Sequence, residues 1–175
     1  MKLFKKLLAV TLVAVLALTV FTACDGSGNT NELPPDWVRQ KIYQDVNDGA
    51  QAYQETVLPV LYYSADLTAY TEQKLNAYIR YVNGNGTIKE EEEYKAQIKK
   101  LDDECKAKLN YVVAQQDDQK CSLIRDYTTT KEDYKKDLYS KSDAYRAASK
   151  IGIARIQNGQ FGKTYTMIEV YKSTK

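Results

Sequence analysis

The chain has 175 residues, with 25 Lys and Arg against 23 Asp and Glu, a formal net charge of +2, and no histidine. The missing imidazole excludes Ser-His-Asp and Cys-His nucleophilic catalysis, histidine metal sites and a histidine pH switch, because each requires that ring. The small net charge leaves no basic field that would favour nucleic acid.

In chain order, Met1-Lys2-Leu3-Phe4-Lys5-Lys6 is a short basic start, Leu7 to Phe21 is an almost unbroken apolar run, and small residues follow before Cys24. The run is slightly short of the about 20 apolar residues that cross a bilayer. Its flanks are those of an export signal. Phe21-Thr22-Ala23-Cys24 resembles the lipobox of bacterial lipoproteins, with Phe21 where Leu is usual. The resemblance implies that residues 1–23 are removed and that the Cys24 thiol carries a diacylglyceryl group. Each buried acyl methylene contributes about 0.8 kcal/mol, and two chains anchor durably where one does not. Asp25, by the same resemblance, implies retention on the outer face of the cytoplasmic membrane. Losing Lys2, Lys5 and Lys6 takes the net charge from +2 to just below zero. What remains has the length of one domain, about 150 residues.

Residues 24–33 read as the lipidated cysteine and a flexible, glycine-rich tether; residues 34–175 read as the domain. Pro35 and Asp36 suit a helix start, and Val38, Ile42, Val46, Ala50 and Tyr53 recur at helical spacing, predicting a first helix over 35–55. A short apolar stretch, Val57 to Tyr63, leads to Ser64, the N-cap of a second helix with Leu67, Tyr70, Leu75, Tyr78, Ile79 and Val82 on one side. Asn83-Gly84-Asn85-Gly86 stops it. Thr87 and Glu90 form a capping box for a third helix whose stripe is Tyr94, Ile98, Leu101, Cys105, Leu109 and Val112. The acidic run Glu90 to Glu93 reads as a solvated first turn.

Gln115 to Lys120 reads as a polar connection and Cys121 to Ile124 as a buried strand. Thr129 and Glu132 predict a capping box for a fourth helix reaching Ala148, with Tyr134, Leu138 and Tyr145 facing inward. The period then changes. Ile151 to Ile156 and Thr164 to Tyr171, around Asn158-Gly159-Gln160-Phe161-Gly162, predict a C-terminal β-hairpin. A lone ribbon must bury a face, so the pattern predicts an α+β fold of about four helices and a hairpin. Fifteen tyrosines against three Phe and one Trp predict many rings half in the core with the hydroxyl near water.

Ser149-Lys150-Ile151-Gly152-Ile153-Ala154, Asn158-Gly159 and Tyr165 to Val170 resemble the closing hairpin of the CAP superfamily (cysteine-rich secretory, antigen 5 and pathogenesis-related proteins). Val46-Asn47, Leu58 to Ala69, and Tyr127 to Ser140 are similar to its first helix, its proline-leucine connection into the second helix, and the helix before the hairpin. The resemblance spans residues 38–171 and implies an α-β-α sandwich. It also implies a cleft ringed by two histidines and two glutamates, which this chain lacks. One family histidine falls opposite Asp143 in Ser140-Lys141-Ser142-Asp143, and a family glutamate is missing near Cys121-Ser122-Leu123-Ile124. The resemblance therefore carries the fold and no metal site or cofactor. Asp143, Ser140 and Tyr139 are the cleft candidates; the Asp143 carboxylate could bind a cation, but Asp143 reads better as an exposed acid at a polar helix end.

Cys105 and Cys121 face an oxidising exterior after export. They read either as a disulfide closing about 15 residues and stabilising by about 3 kcal/mol, or, for Cys105 on its apolar stripe, as a buried thiol. Three functions follow: a tethered CAP-like module gripping an apolar, glycan or protein ligand; an envelope-interaction protein acting through the third helix; or a hydrolase using a carboxylate pair at glycosidase spacing, roughly 5 to 9.5 Å.

Overall fold

A computed structural model describes residues 32–53, 57–158 and 162–175. The export signal, Cys24 and the tether as far as Asn31 lie outside the described residues, as does the hairpin turn at 159–161. Among the described residues no helix is long and apolar enough to cross a membrane.

Helix α1 spans Trp37–Gln51 and begins where Asp36 accepts the Arg39 backbone N–H at 2.9 Å. Asp36 is thus the cap itself and not a first-turn residue, and the helix is shorter at both ends than expected. It buries Ile42, Val46, Asn47 and Ala50. Asn47 lies in the hydrophobic core yet is satisfied: its amide donates to the Leu61 carbonyl at 3.1 Å and its oxygen accepts the Leu61 N–H at 2.9 Å. That double bond fixes the extended chain entering strand β1 (Tyr62–Tyr63).

Ser64 caps α2 (Ala65–Val82) as expected, accepting from Leu67 N–H. Helix α3 (Ile88–Leu109) has both halves of its Thr87/Glu90 capping box, and Asn110 stops it in the left-handed region at φ 59°. Of the expected stripe on this helix, only Leu101 and Cys105 are buried. Val112 falls instead in strand β2 (Tyr111–Val113).

The polar connection is a tight hairpin, β3 (Gln115–Gln116) with β4 (Gln119–Lys120). Its two loop residues, Asp117 and Asp118, both have positive φ, 49° and 61°, the requirement of a type I′ turn. On either side of this hairpin, β2 and β5 (Ser122–Arg125) pair with the same edge of the last strand. Ala114 N–H donates to the Val170 carbonyl at 2.8 Å, Val170 N–H to Cys121 at 3.1 Å, and Cys121 N–H to Ala114 at 2.7 Å. The hairpin is therefore an excursion from one continuous edge.

The fourth helix departs most from expectation. The capping box is Thr130 with Asp133, one residue later than Thr129 with Glu132, and the helix is broken into α4 (Lys131–Tyr134), a π turn (Lys135–Tyr139) and α5 (Ser142–Arg146). Thr129 bonds the Tyr134 hydroxyl at 2.7 Å instead of capping. The wider turn brings Tyr139 inward, where its hydroxyl donates to the Val46 carbonyl at 2.6 Å. Tyr134, Leu138 and Tyr145 are all buried as expected.

Strands β6 (Lys150–Asn158) and β7 (Lys163–Ser173) form the C-terminal hairpin, with Ile153 opposite Ile168. The sheet order is β1-β6-β7-β2, β1 running parallel to β6, with β5 also on β7. Alternation divides the core. Ile151, Ile153, Ile168 and Val170 pack with α1, α4 and α5; Ala154, Met167 and Tyr171 pack with α2 and α3. The fold is mixed α+β, five α-helices and a hairpin among the described residues. Tyr63, Tyr134, Tyr139, Tyr145, Tyr165 and Tyr171 are buried outright, deeper than the half-immersed position expected from their hydroxyls.

Cys105 and Cys121 are unbridged thiols, which corrects the disulfide reading. Cys105 packs with Leu67, Val113 and Tyr171, whereas Cys121 lies in the other core cluster and donates to the Leu138 carbonyl at 3.4 Å. Burial pushes their pKa values up, to about 11 and about 12, so neither is a thiolate at neutral pH. A thiol-titration assay should find neither reactive in the folded protein. The denatured chain should titrate two thiols in total if the Cys24 sulfur is lipidated and three otherwise.

Candidate functional site

The three cleft candidates do not form a cleft. Asp143 is exposed and ion-paired to Arg146 at 3.2 Å, Ser140 is exposed with its hydroxyl turned to the Lys136 carbonyl, and Tyr139 is buried against α1. The family resemblance set these residues at a cleft, but here Tyr139 turns into the core while Ser140 and Asp143 face solvent.

A better site is a cleft of about 450 Å³ between the start of α1, the loop 126–129 and the distal part of the hairpin. Two exposed aromatic rings flank it: Trp37 is 77% exposed and Tyr127 52%. Thr128, Thr129, Thr164 and Thr166 line it, and Lys41, Asp45 and Arg155 add charge. Volume and mixed lining are those of a small-ligand site, with apolar contact area and a few orienting polar groups.

The backbone that carries Trp37 is pinned, and the Tyr127 ring is held by side-chain contacts. Trp37 occupies the first turn of α1, and Gln40 in the same turn donates to the Pro34 carbonyl at 2.9 Å. Tyr127 donates to Asp133 at 3.0 Å, and the Arg125 guanidinium lies 5.8 Å from its ring centroid. Arg125 also donates to Asp133 at 3.0 Å and pairs with Asp137, so loop and helix are fastened together. Lys163 ties the loop to β7 through Asp126 at 2.6 Å.

Burial acts to raise the Asp133 pKa, but bonds from Thr130, Arg125 and Tyr127 outweigh it and bring the group down to about 2. The Lys163 bond lowers Asp126. Burial raises Tyr127 and Tyr134, which keeps both hydroxyls protonated at neutral pH. Tyr127 and Tyr134 thus stay neutral with their hydroxyls engaged by Asp133 and Thr129, while Asp126 stands ionised in the lining.

A second cleft, about 400 Å³, lies between α3 and the sheet, with Tyr94, Ile98, Ile124 and Met167 on its walls. Asp102, Lys120 and Glu169 also line it, at the edge of a buried charge network. Lys74, fully buried, meets both Glu169 oxygens at 3.1 and 3.0 Å and Asp102 at 2.6 Å. The Tyr171 hydroxyl donates to Glu169 at 2.6 Å, Thr71 bonds Glu169 and Tyr171 at 3.2 and 2.9 Å, and Lys120 reaches Asp102 at 2.6 Å. Burial acts to lower the Lys74 pKa, but Glu169 and Asp102 outweigh it and leave it raised. Every charge here already has a partner, which makes the network a structural tie between α2, α3 and β7.

Sequence reasoning missed both features. Lys74 stands seven residues after Leu67 on the apolar side of α2, and Glu169 sits in a strand buried from Tyr165 to Tyr171; a charge in either place signals a buried pair. Trp37 and Tyr127 carry no comparable signal, because their neighbourhood exists only after folding.

No family model matches the chain, and no curated protein or solved structure shows significant similarity to it.

Proposed function

We propose that this chain is a lipid-anchored extracytoplasmic binding module of divergent CAP-like architecture, whose Trp37/Tyr127 cleft holds a segment of glycan. The carrying observation is the pairing of two exposed aromatic residues, Trp37 and Tyr127, with four threonines in the lining of one cleft. A sugar ring has an apolar C–H face and a hydroxyl edge, and this lining supplies a complement to each. Helices against both faces of the sheet support the CAP-like reading, as does the sequence of helix, short strand, helix and closing hairpin. Against hydrolysis, a glycosidase requires one carboxylic acid with a raised pKa. Here Asp126 is lowered by Lys163 and Asp45 is ion-paired to Lys41. The module grips and does not cleave.

Trp37 is the single tryptophan of the chain, so its fluorescence reports on the cleft directly. Titration with soluble peptidoglycan fragments should give a saturable change. Trp37→Ala and Tyr127→Ala, followed by calorimetry, should each weaken binding by about 0.5–1.5 kcal/mol, roughly two- to twelvefold, and Ile88→Ala on α3 should not. Binding unchanged in both aromatic variants, or no binding to any fragment, rejects the reading.

A further inference from the structure

The corner of the domain where the tether enters is both apolar and fastened. Glu32 forms an antiparallel bridge with Tyr63, and its carboxylate accepts the Ala65 N–H, the first residue of α2, at 2.7 Å. The bridge sets Leu33 beside Tyr62. Along the chain entering β1, Leu61 and Tyr63 are buried while Val60 and Tyr62 are 40% and 38% exposed; Leu33 is 57% exposed. Three apolar side chains therefore share one outward face. Lys150 is in register with Tyr62, and its ammonium lies 5.7 Å from the Tyr62 ring centroid.

We infer that this face, Leu33, Val60 and Tyr62 with Lys150, docks onto the bilayer that carries the anchor. The inference rests on the lipidation of Cys24 proposed above. Glu32 lies eight chain steps after Cys24, a reach of about 28 Å when fully extended and about 16 Å for a random coil of that length. The face at the tether's entry point is thus kept at high effective concentration against the lipid. An aromatic ring with a polar tip beside a long cationic side chain suits the headgroup boundary, where apolar bodies sink and charged heads stay wet. An anionic leaflet adds about 1 kcal/mol for a lysine at its surface. Docking would fix the orientation of the domain on the bilayer.

The test uses lipidated protein in vesicles of phosphatidylglycerol and phosphatidylethanolamine, with a nitroxide on Leu33→Cys, on Tyr62→Cys, and on Ile88→Cys, a position 78% exposed on α3. Cys105 and Cys121 are buried and stay unlabelled. Labels at 33 and 62 should be relaxed mainly by oxygen, which concentrates in lipid, and the label at 88 mainly by an aqueous nickel complex. Lys150→Glu should lower the docking equilibrium constant by about fivefold or more. Aqueous exposure of 33 and 62 equal to that of 88, in a chain whose intact mass shows the lipid, overturns docking alone. Equal protection in detergent and in vesicles means a protein or second copy covers the face, and overturns it too. An unlipidated chain overturns the anchor and docking together.

Discussion

Replacing Lys74 with methionine will destabilise the protein by about 3–5 kcal/mol, the cost of breaking a buried ion pair from one side. The reason is what remains behind. Glu169 is 1% exposed, and without Lys74 its carboxylate has hydroxyl partners only. Asp102 keeps Lys120 at 2.6 Å. The variant Lys74→Met/Glu169→Gln should recover most of the loss, because the amide still offers an oxygen to Tyr171 and no unpaired charge is buried. Urea denaturation of the wild type, both singles and the double closes the cycle. A loss below about 1 kcal/mol in Lys74→Met would show that the network is not a structural tie.

The same network sets a pH window. Burial acts to raise Asp102, and Lys74 and Lys120 outweigh it, so its folded pKa lies below the ordinary value. Its contribution is present above about pH 4 and is lost as pH falls through that depressed value. Lys74 is raised, so its contribution is complete below the ordinary lysine value of 10.5 and is lost only as pH climbs beyond it. Between the two limits the tie is intact, whatever the state of the cleft.

Local chemistry was readable from the chain where a few neighbouring residues decide the outcome. Ser64 and the Thr87/Glu90 box start α2 and α3 because a cap needs partners only three residues away. The closing hairpin was legible from its change of period. Where two local solutions compete, tertiary contact decides. Thr129 and Thr130 each precede an acid by three residues, and the chain uses Thr130 because Thr129 serves the buried Tyr134 hydroxyl. The cysteine pairing failed because strand β5 places Cys121 in the core that faces α1, and α3 presents Cys105 to the opposite cluster. The Asp117-Asp118 turn was missed because Asp tolerates positive φ without announcing it as an Asn-Gly pair does. The candidate cleft was the least legible part, since its walls come from residues 37, 127, 155 and 164, joined by no local spacing.

Gly152→Ala is the second large effect, and it acts through the same tie. A methyl at Gly152 would stand 2.5 Å from the Thr71 hydroxyl and 3.2 Å from the Leu67 backbone. Thr71 cannot simply turn away, for its hydroxyl sits between the Leu67 carbonyl at 3.1 Å, Glu169 at 3.2 Å and Tyr171 at 2.9 Å, all within reach of its one proton. Either α2 lifts from β6 or the hydroxyl leaves the network. Overpacking costs about 1–3 kcal/mol, and a buried group losing its bond adds about 1–3 kcal/mol, so a loss of about 2–6 kcal/mol is expected. Gly152→Ala/Thr71→Ala removes the nearest collision but leaves the Leu67 backbone in place, so the double variant should regain only part of the stability. Full recovery would assign the whole effect to the hydroxyl. No loss in Gly152→Ala would mean that α2 does not sit as close to β6 as the 2.5 Å approach requires.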